Sequence, residues 1–223
     1  MALPTVEFVI APSTEAFRAN PRDAALTEPI LEIMKTCEGM IRLAHLRPLI
    51  YVAFAFSSTT FGLQHEDKTS AYCAVVWHSL GDHKALMNDS VKHMKVGEAL
   101  QAILDPMAIT MFHCAFNSEP YKALQAPVTE IITITLHEGE SKDTLEELVE
   151  ELAHAANISP PESGAVSAAW GPSTEKDDVF FLMIGWTSVE AHYTLVKAWP
   201  EVLAIIERIK AIATVEVKHV ALA

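Results

Sequence analysis

The sequence predicts an α+β chain made of two tandem ferredoxin-like repeats, βαββαβ each, packed sheet to sheet. Three observations carry that prediction. The first is a self-match: Trp77, Ser79 and His83 recur as Trp186, Ser188 and His192 at a constant shift of 109 positions. Further on, His113 and Ala115 recur as His219 and Ala221 at a shift of 106, so the second copy is three residues shorter in the intervening helix or loop. Self-similarity at a fixed period is the mark of a repeated architecture. The second observation is the alternation of strand and helix periodicities in the order β-α-β-β-α-β, the split βαβ motif. The third is the run Phe180-Phe-Leu-Met-Ile184, apolar at every position. A strand of that kind must be buried on both faces. One face takes its own helices and the other would take the sheet of the sister repeat.

The second copy gives the cleaner pattern. Residues 128–137 are rich in β-branched side chains and predict a strand. Leu145, Leu148, Val149 and Leu152 then fall at helical spacing with acids opposite, and Thr144 with Glu147 makes a better capping box than Ser141. Pro160-Pro161 closes that helix. Strands follow at 164–170 and 179–186, then a helix capped by Ser188 running past His192 and Leu195, a second helix begun or kinked at Pro200, and a last strand at 214–221. The first copy predicts a strand at 6–11 and a helix at 24–38, interrupted near Pro29. Its second strand falls within 40–57, best placed at 50–57, followed by a loop at 59–69 and strands at 70–78 and 109–116. The domain boundaries are therefore a first repeat at 1–117, a linker at 118–127 holding Pro120 and Pro127, and a second repeat at 128–223.

Charge and composition exclude several classes of function. With 16 Lys and Arg against 29 Asp and Glu, the net charge is −13, and no basic stripe offsets it locally, so nucleic acid is not an expected partner. The longest apolar run, 49–56, falls far short of the roughly 20 residues that a spanning helix needs, so no membrane association is expected. The first residues lack the basic and apolar regions of a secretory signal. Cys37, Cys73 and Cys114 are odd in number and lack CxxC spacing, which reads as buried reduced thiols and a cytoplasmic location.

The segments Trp186-Thr-Ser188-Val-Glu190-Ala-His192 and Trp77-His-Ser79-Leu-Gly-Asp82-His83 resemble the antibiotic biosynthesis monooxygenase-like domains of the dimeric α/β-barrel superfamily. The second copy is the better match, because Gly81-Asp82 replaces Glu190-Ala191 in the first. The resemblance covers both repeats in outline and implies a single-chain, intramolecular dimeric α/β barrel. It also implies an apolar pocket between sheet and helices in each repeat, but not a reaction, since the superfamily holds cofactor-independent monooxygenases, cyclases and haem enzymes.

Within that frame, His83 and His192 sit early in the helix after each Trp, where an imidazole could orient a carbonyl or phenol or act as a base near neutral pH. The structural alternative is a ring packed on Trp and bonded to a carbonyl. His113 shares a strand face with Ile109 and Met111, and His219 with Val215 and Val217. A polar group on an apolar face is the informative oddity. If the face looks into the pocket, these imidazoles could abstract a proton. If it looks between the sheets, they are structural. Trp77 and Trp186 read as pocket-rim indoles, and Tyr72 and Tyr193 as further substrate contacts. Thr133, Thr135 and His137 form another polar line on one strand face.

The expected ligand is a small apolar or aromatic, polyketide-like molecule. The expected chemistry is cofactor-independent oxygenation or His-assisted cyclisation or dehydration, with a non-catalytic stress-response or carrier protein as the alternative and a haem-binding enzyme as a third. No cofactor is expected. No metal is expected either, because His78 with His83 and His65 with Glu66 and Asp67 lack ligand spacing. A further homodimer is compatible with this reading.

Overall fold

Alternation of apolar side chains places β1 (Thr5–Pro12) at the centre of a sheet, with Val9 and Ala11 buried on one face and Val6 and Phe8 on the other. The computed structural model describes residues 3–40, 43–44, 55–56 and 59–222. It divides into two compact units, Met1–Leu63 with Lys68–His113 and Gln64–Asp67 with Cys114–Leu222.

After β1 come the short α1 (Glu15–Ala19), capped by Thr14, and α2 (Ala24–Met34), capped by Asp23, which continues through Pro29 without a break. The minimal strands β2 (Leu43–Ala44) and β3 (Ala55–Phe56) pair with each other. The strand expected at 50–57 lies mostly outside the described residues. The strand that joins the main sheet is β4 (Thr59–Leu63), in a stretch the sequence suggested was loop. Its Thr-Thr-Phe-Gly-Leu pattern pairs antiparallel with β5 (Ser70–Trp77). α3 (Leu80–Asn88), α4 (Ser90–Leu100) and β6 (Thr110–Ala115) complete a sheet of order β4-β5-β1-β6.

A four-residue helix, α5 (Tyr121–Leu124), occupies the segment expected to be linker. The second sheet follows: β7 (Val128–Leu136), α6 (Lys142–Ile158), β8 (Ala165–Pro172), β9 (Val179–Trp186), α7 (Val189–Ala198), α8 (Pro200–Ile212) and β10 (Ala213–Val220), in the order β10-β7-β9-β8. Ser141, not Thr144, caps α6: its Oγ accepts the Thr144 N–H at 3.2 Å, which adds three residues to the helix start.

Numbered within each unit, both sheets run fourth, first, third, second strand, the order of a ferredoxin-like βαββαβ unit. One face of each sheet carries the helices. In the first unit Val9, Cys73, Val75 and Trp77 pack with Phe17, Ile30, Met34 and Leu86. In the second, Ile132, Ile134, Phe180, Leu182 and Trp186 pack with Leu145, Leu148, Val149 and Ile205. Each such side chain stabilises the fold by about 1.5–3 kcal/mol through burial. No helix among the described residues is long and apolar enough to cross a membrane.

Candidate functional site

Strand register builds the polar end of each helix–sheet layer. In the second unit His219 of β10 stands directly opposite Glu130 of β7, and Trp186 of β9 lies opposite Val128, one step further along the helix-facing side. Cross-strand partners point to the same face, so Glu130, His219 and Trp186 share the face of Ile132 and Ile134. Ser188 caps α7 by accepting the Ala191 N–H at 3.1 Å, which leaves two residues between the strand and the helix. One turn later His192 drops onto that end of the sheet, its ring centroid 5.0 Å from Trp186.

A chain of contacts results. Trp186 Nε1–H donates to Glu130 Oε2 at 2.7 Å, and Glu130 Oε1 lies 3.4 Å from His192 Nε2. His192 Nδ1 is hydrogen-bonded to His219 Nε2 at 2.8 Å. The first unit repeats it: Trp77 Nε1–H donates to Glu7 Oε2 at 2.7 Å, Glu7 Oε1 lies 3.5 Å from His83 Nε2, and His83 Nδ1 pairs with His113 Nε2 at 2.8 Å. Ser79 takes the place of Ser188 as the cap of α3. All six Glu and His side chains are buried.

Each polar end floors a largely apolar cavity between sheet and helices. Counting the space that opens to solvent, the first spans about 610 Å³, with Glu7, Trp77, His83, Met34 and Gly97 among its walls. The second encloses about 410 Å³, with Glu130, Trp186, His192, Trp199 and Ile206.

Burial sets the protonation. It pushes Glu130 up to about 8, against the Trp186 hydrogen bond and with a smaller contribution from the charge of Glu66. It pushes Glu7 up to about 7 despite the Trp77 bond. Burial, together with neighbouring His219, brings His192 down to about 4. Near neutral pH the second site therefore pairs a protonated carboxyl with a neutral imidazole, and Glu7 in the first is poised between its two forms. Groups held in this way can accept or deliver protons at working pH.

Each unit also gathers one Glu and two His whose ligand atoms lie within 4.8 Å of one another, Glu7 with His83 and His113, and Glu130 with His192 and His219. Spacing in sequence could not show this, because each group draws on three separate elements. In both, however, the central imidazole already turns one nitrogen to the carboxyl and the other to its partner imidazole. An ion would use one nitrogen of each imidazole and would have to displace the hydrogen bond between the two rings, whereas a proton path uses that bond as it stands.

Of the residues singled out from sequence, His83, His192, Trp77 and Trp186 line the cavities, and His113 and His219 support the two helix histidines from the sheet. The strand histidines thus sit on the helix-facing side. Tyr72 points to the opposite face of β5 from Trp77, away from the first cavity. Tyr193 is largely exposed, its ring stacked 4.9 Å from that of His192 outside the cavity lining. Thr133 and Thr135 lie on the face of β7 opposite Ile132, and His137 is exposed and bonded to Thr214.

Sequence reasoning missed Glu7 and Glu130, and weighed Glu66 only as part of a metal grouping that it set aside. The first two had a readable signal, a lone acid within an apolar strand at the parity of the core-facing residues (Glu7 with Val9, Glu130 with Ile132). Glu66 had a fainter one, in that Glu175 follows it at the same shift of 109 as the Trp and His pairs.

No family model matches the chain, and no curated protein matches it. Solved structures do. Two are described as "putative monooxygenase": one from Fusobacterium nucleatum, 9% identical, covers 99% of this chain and 93% of its own with a TM-score of 0.66. The other, from Lactobacillus acidophilus, is 14% identical over 98% and 93% with a TM-score of 0.65. An anthrone oxidase-like protein is 12% identical over 99% and 91% with a TM-score of 0.60. At these identities the likeness shows the fold alone.

Proposed function

We propose that the chain binds a small, flat, apolar or aromatic molecule between sheet and helices, and that the carboxyl–imidazole pair at the end of each cavity removes a proton from it. The observation that carries this reading is the pairing of an apolar cavity with a buried Glu–His couple of shifted acidity, built twice. The fold-level likeness to an anthrone oxidase-like protein suggests an enolisable aromatic ketone as the substrate class. The reaction is then cofactor-independent. A C–H proton passes to the Glu–His couple, and the resulting carbanion reduces molecular oxygen. One oxygen atom becomes the product carbonyl and the other leaves as water. Excluding water keeps the carbanion from being reprotonated. The same couple could serve cyclisation or dehydration through the same proton transfer.

The two units are, in the same proposal, tandem copies forming a single-chain barrel. The common strand order and the matched Trp, Ser and His positions support that reading.

The test is oxygen uptake and quinone formation with anthrone as substrate and no added cofactor. The wild type is expected to exceed the buffer rate, and Glu7→Gln with Glu130→Gln to lose about 100-fold or more. Turnover untouched by the double substitution would contradict the assignment. Saturable anthrone binding without oxygen uptake would point to the carrier alternative.

A further inference from the structure

One ionisable group of the second unit touches the polar end of the cavity from outside it. Segment 64–67 lies along β10, with Gln64 bridged to Val220 and the His65 N–H donating to the His219 carbonyl at 2.7 Å. This places Glu66 over His219. The His219 backbone N–H donates to both carboxylate oxygens, at 3.1 and 3.2 Å, and His219 Nδ1 lies 2.6 Å from Oε1. Burial alone would raise the pKa of Glu66, but these bonds from His219 hold it below the ordinary carboxylate value. Its side chain remains 31% exposed, whereas that of His219 is fully buried.

These contacts impose a direction. An ionised carboxylate only accepts, so His219 Nδ1 carries a proton. In a neutral His219, Nε2 is then bare, and the 2.8 Å bond to it requires the proton on His192 Nδ1. His192 Nε2 is bare in turn, and Glu130 Oε1 beside it is the hydroxyl end of the carboxyl. Each assignment forces the next, from solvent to cavity.

We propose that Glu66 is a positioning residue of the second site, fixing the proton direction along Glu130, His192 and His219 and passing the proton to solvent. The inference rests on the reading of the cavity as a place where a proton is exchanged. In one transfer, the Glu130 proton moves to His192 Nε2, the His192 Nδ1 proton to His219 Nε2, and the His219 Nδ1 proton to Glu66, which releases it to water. One proton leaves the network, its charge falls by one, and an ionised Glu130 faces the cavity ready to take a proton from substrate. Other titratable groups beside this path are Tyr193, its ring centroid 5.7 Å from that of His219, and His65, whose backbone N–H donates to the His219 carbonyl.

Ring nitrogens report this directly. Proton–nitrogen correlation NMR on the whole chain with labelled histidine distinguishes protonated from bare imidazole nitrogens, with His192→Gln and His219→Gln providing assignments. Near neutral pH, both His192 and His219 are expected to carry the proton on Nδ1. In Glu66→Ala, His219 is expected to shift its proton to Nε2. His192, two links away, then becomes protonated at Nε2, while the His83 and His113 signals stay put as a check on folding. Glu66→Asp should restore the wild-type pattern at least in part. A His192 tautomer unmoved by Glu66→Ala in a folded protein would overturn the proposal. So would stoichiometric perturbation of both rings by added zinc, which would favour a metal centre. Failure of anthrone turnover would leave these signals unchanged, so the relay and the catalytic reading fail separately.

Discussion

The first unit's cavity holds about 610 Å³ and the second's about 410 Å³, although both end on the same indole, carboxyl and pair of imidazoles. The difference lies in one helix wall. At the shift that matches the Trp and His pairs, Gly97 of α4 corresponds to Ile206 of α8, His93 to Val202 and Ser90 to Trp199. A Cβ built on Gly97 would meet nothing within 4 Å, whereas Ile206 and Trp199 line the second cavity. Register fixes the chemistry at the sheet end, while side-chain volume on a helix sets the size of what can reach it. The two can therefore vary independently. The first cavity has more room beside that helix and adds an imidazole, His93, to its wall.

The largest expected effect tests what the units share. Trp77→Ala and Trp186→Ala each remove a fully packed indole and the N–H that satisfies a buried carboxyl. Each is expected to destabilise its own unit by about 3–5 kcal/mol, read from denaturant unfolding.

Next comes pH. Glu130 holds its proton to about 8 in the folded chain against 4.5 for the free side chain, and Glu7 to about 7. Between those values the folded state binds more protons than the unfolded state, so each contribution is complete below 4.5 and lost as pH rises. His192 acts in the opposite sense, since its pKa drops from 6.5 to about 4, and it removes stability as pH falls through that range. In the second unit the two trends cancel at mildly acidic pH, which leaves a loss from about 6.5 to 8. In the first unit the loss from Glu7 is complete by about 7. Glu130→Gln should flatten the alkaline loss and stabilise the protein near the upper end of that window by on the order of a few kcal/mol. An unchanged pH–stability profile in Glu130→Gln would show that the carboxyl ionises normally.

The cavity difference itself is tested by exchanging its walls. Gly97→Ile should weaken binding of a bulky aromatic in the first cavity by about 10-fold or more, and Ile206→Ala should admit a larger ligand to the second, both by calorimetric titration. Smallest is the loss of a helix cap. Ser79→Ala and Ser188→Ala should each cost about 1 kcal/mol in thermal unfolding, with the His behind each cap less well placed.

The strands and the paired histidines were legible because periodicity and repetition are local or additive signals. Residues 179–186 announced a strand by composition alone, and β9 spans those same residues. Pro29 looked like a break in a helix, but α2 runs through it although the proline sits in the helix interior, where it removes a backbone hydrogen bond. Thr59–Leu63 looked like loop because Gly62 interrupts it and the polar run His65-Glu-Asp-Lys68 follows, and pairing with β5 supplies what propensity lacks. The carboxyl partners were not legible as a site. Glu130 and His219 are 89 positions apart, and only strand register sets them opposite each other. Tyr72 was misjudged by one parity step, because adjacent strand residues face opposite ways.

The most direct test of the account is whether an aromatic phenol enters the cavities and meets their polar ends. Naphthol titrated into the purified chain should quench the fluorescence of Trp77 and Trp186 saturably. The quenching should weaken when Glu7 and Glu130 are both replaced by Gln, and vanish when His83 and His192 are both replaced by bulky Trp in a chain that still folds. Non-saturable quenching in the wild type, or saturable quenching indifferent to all four positions, would contradict it.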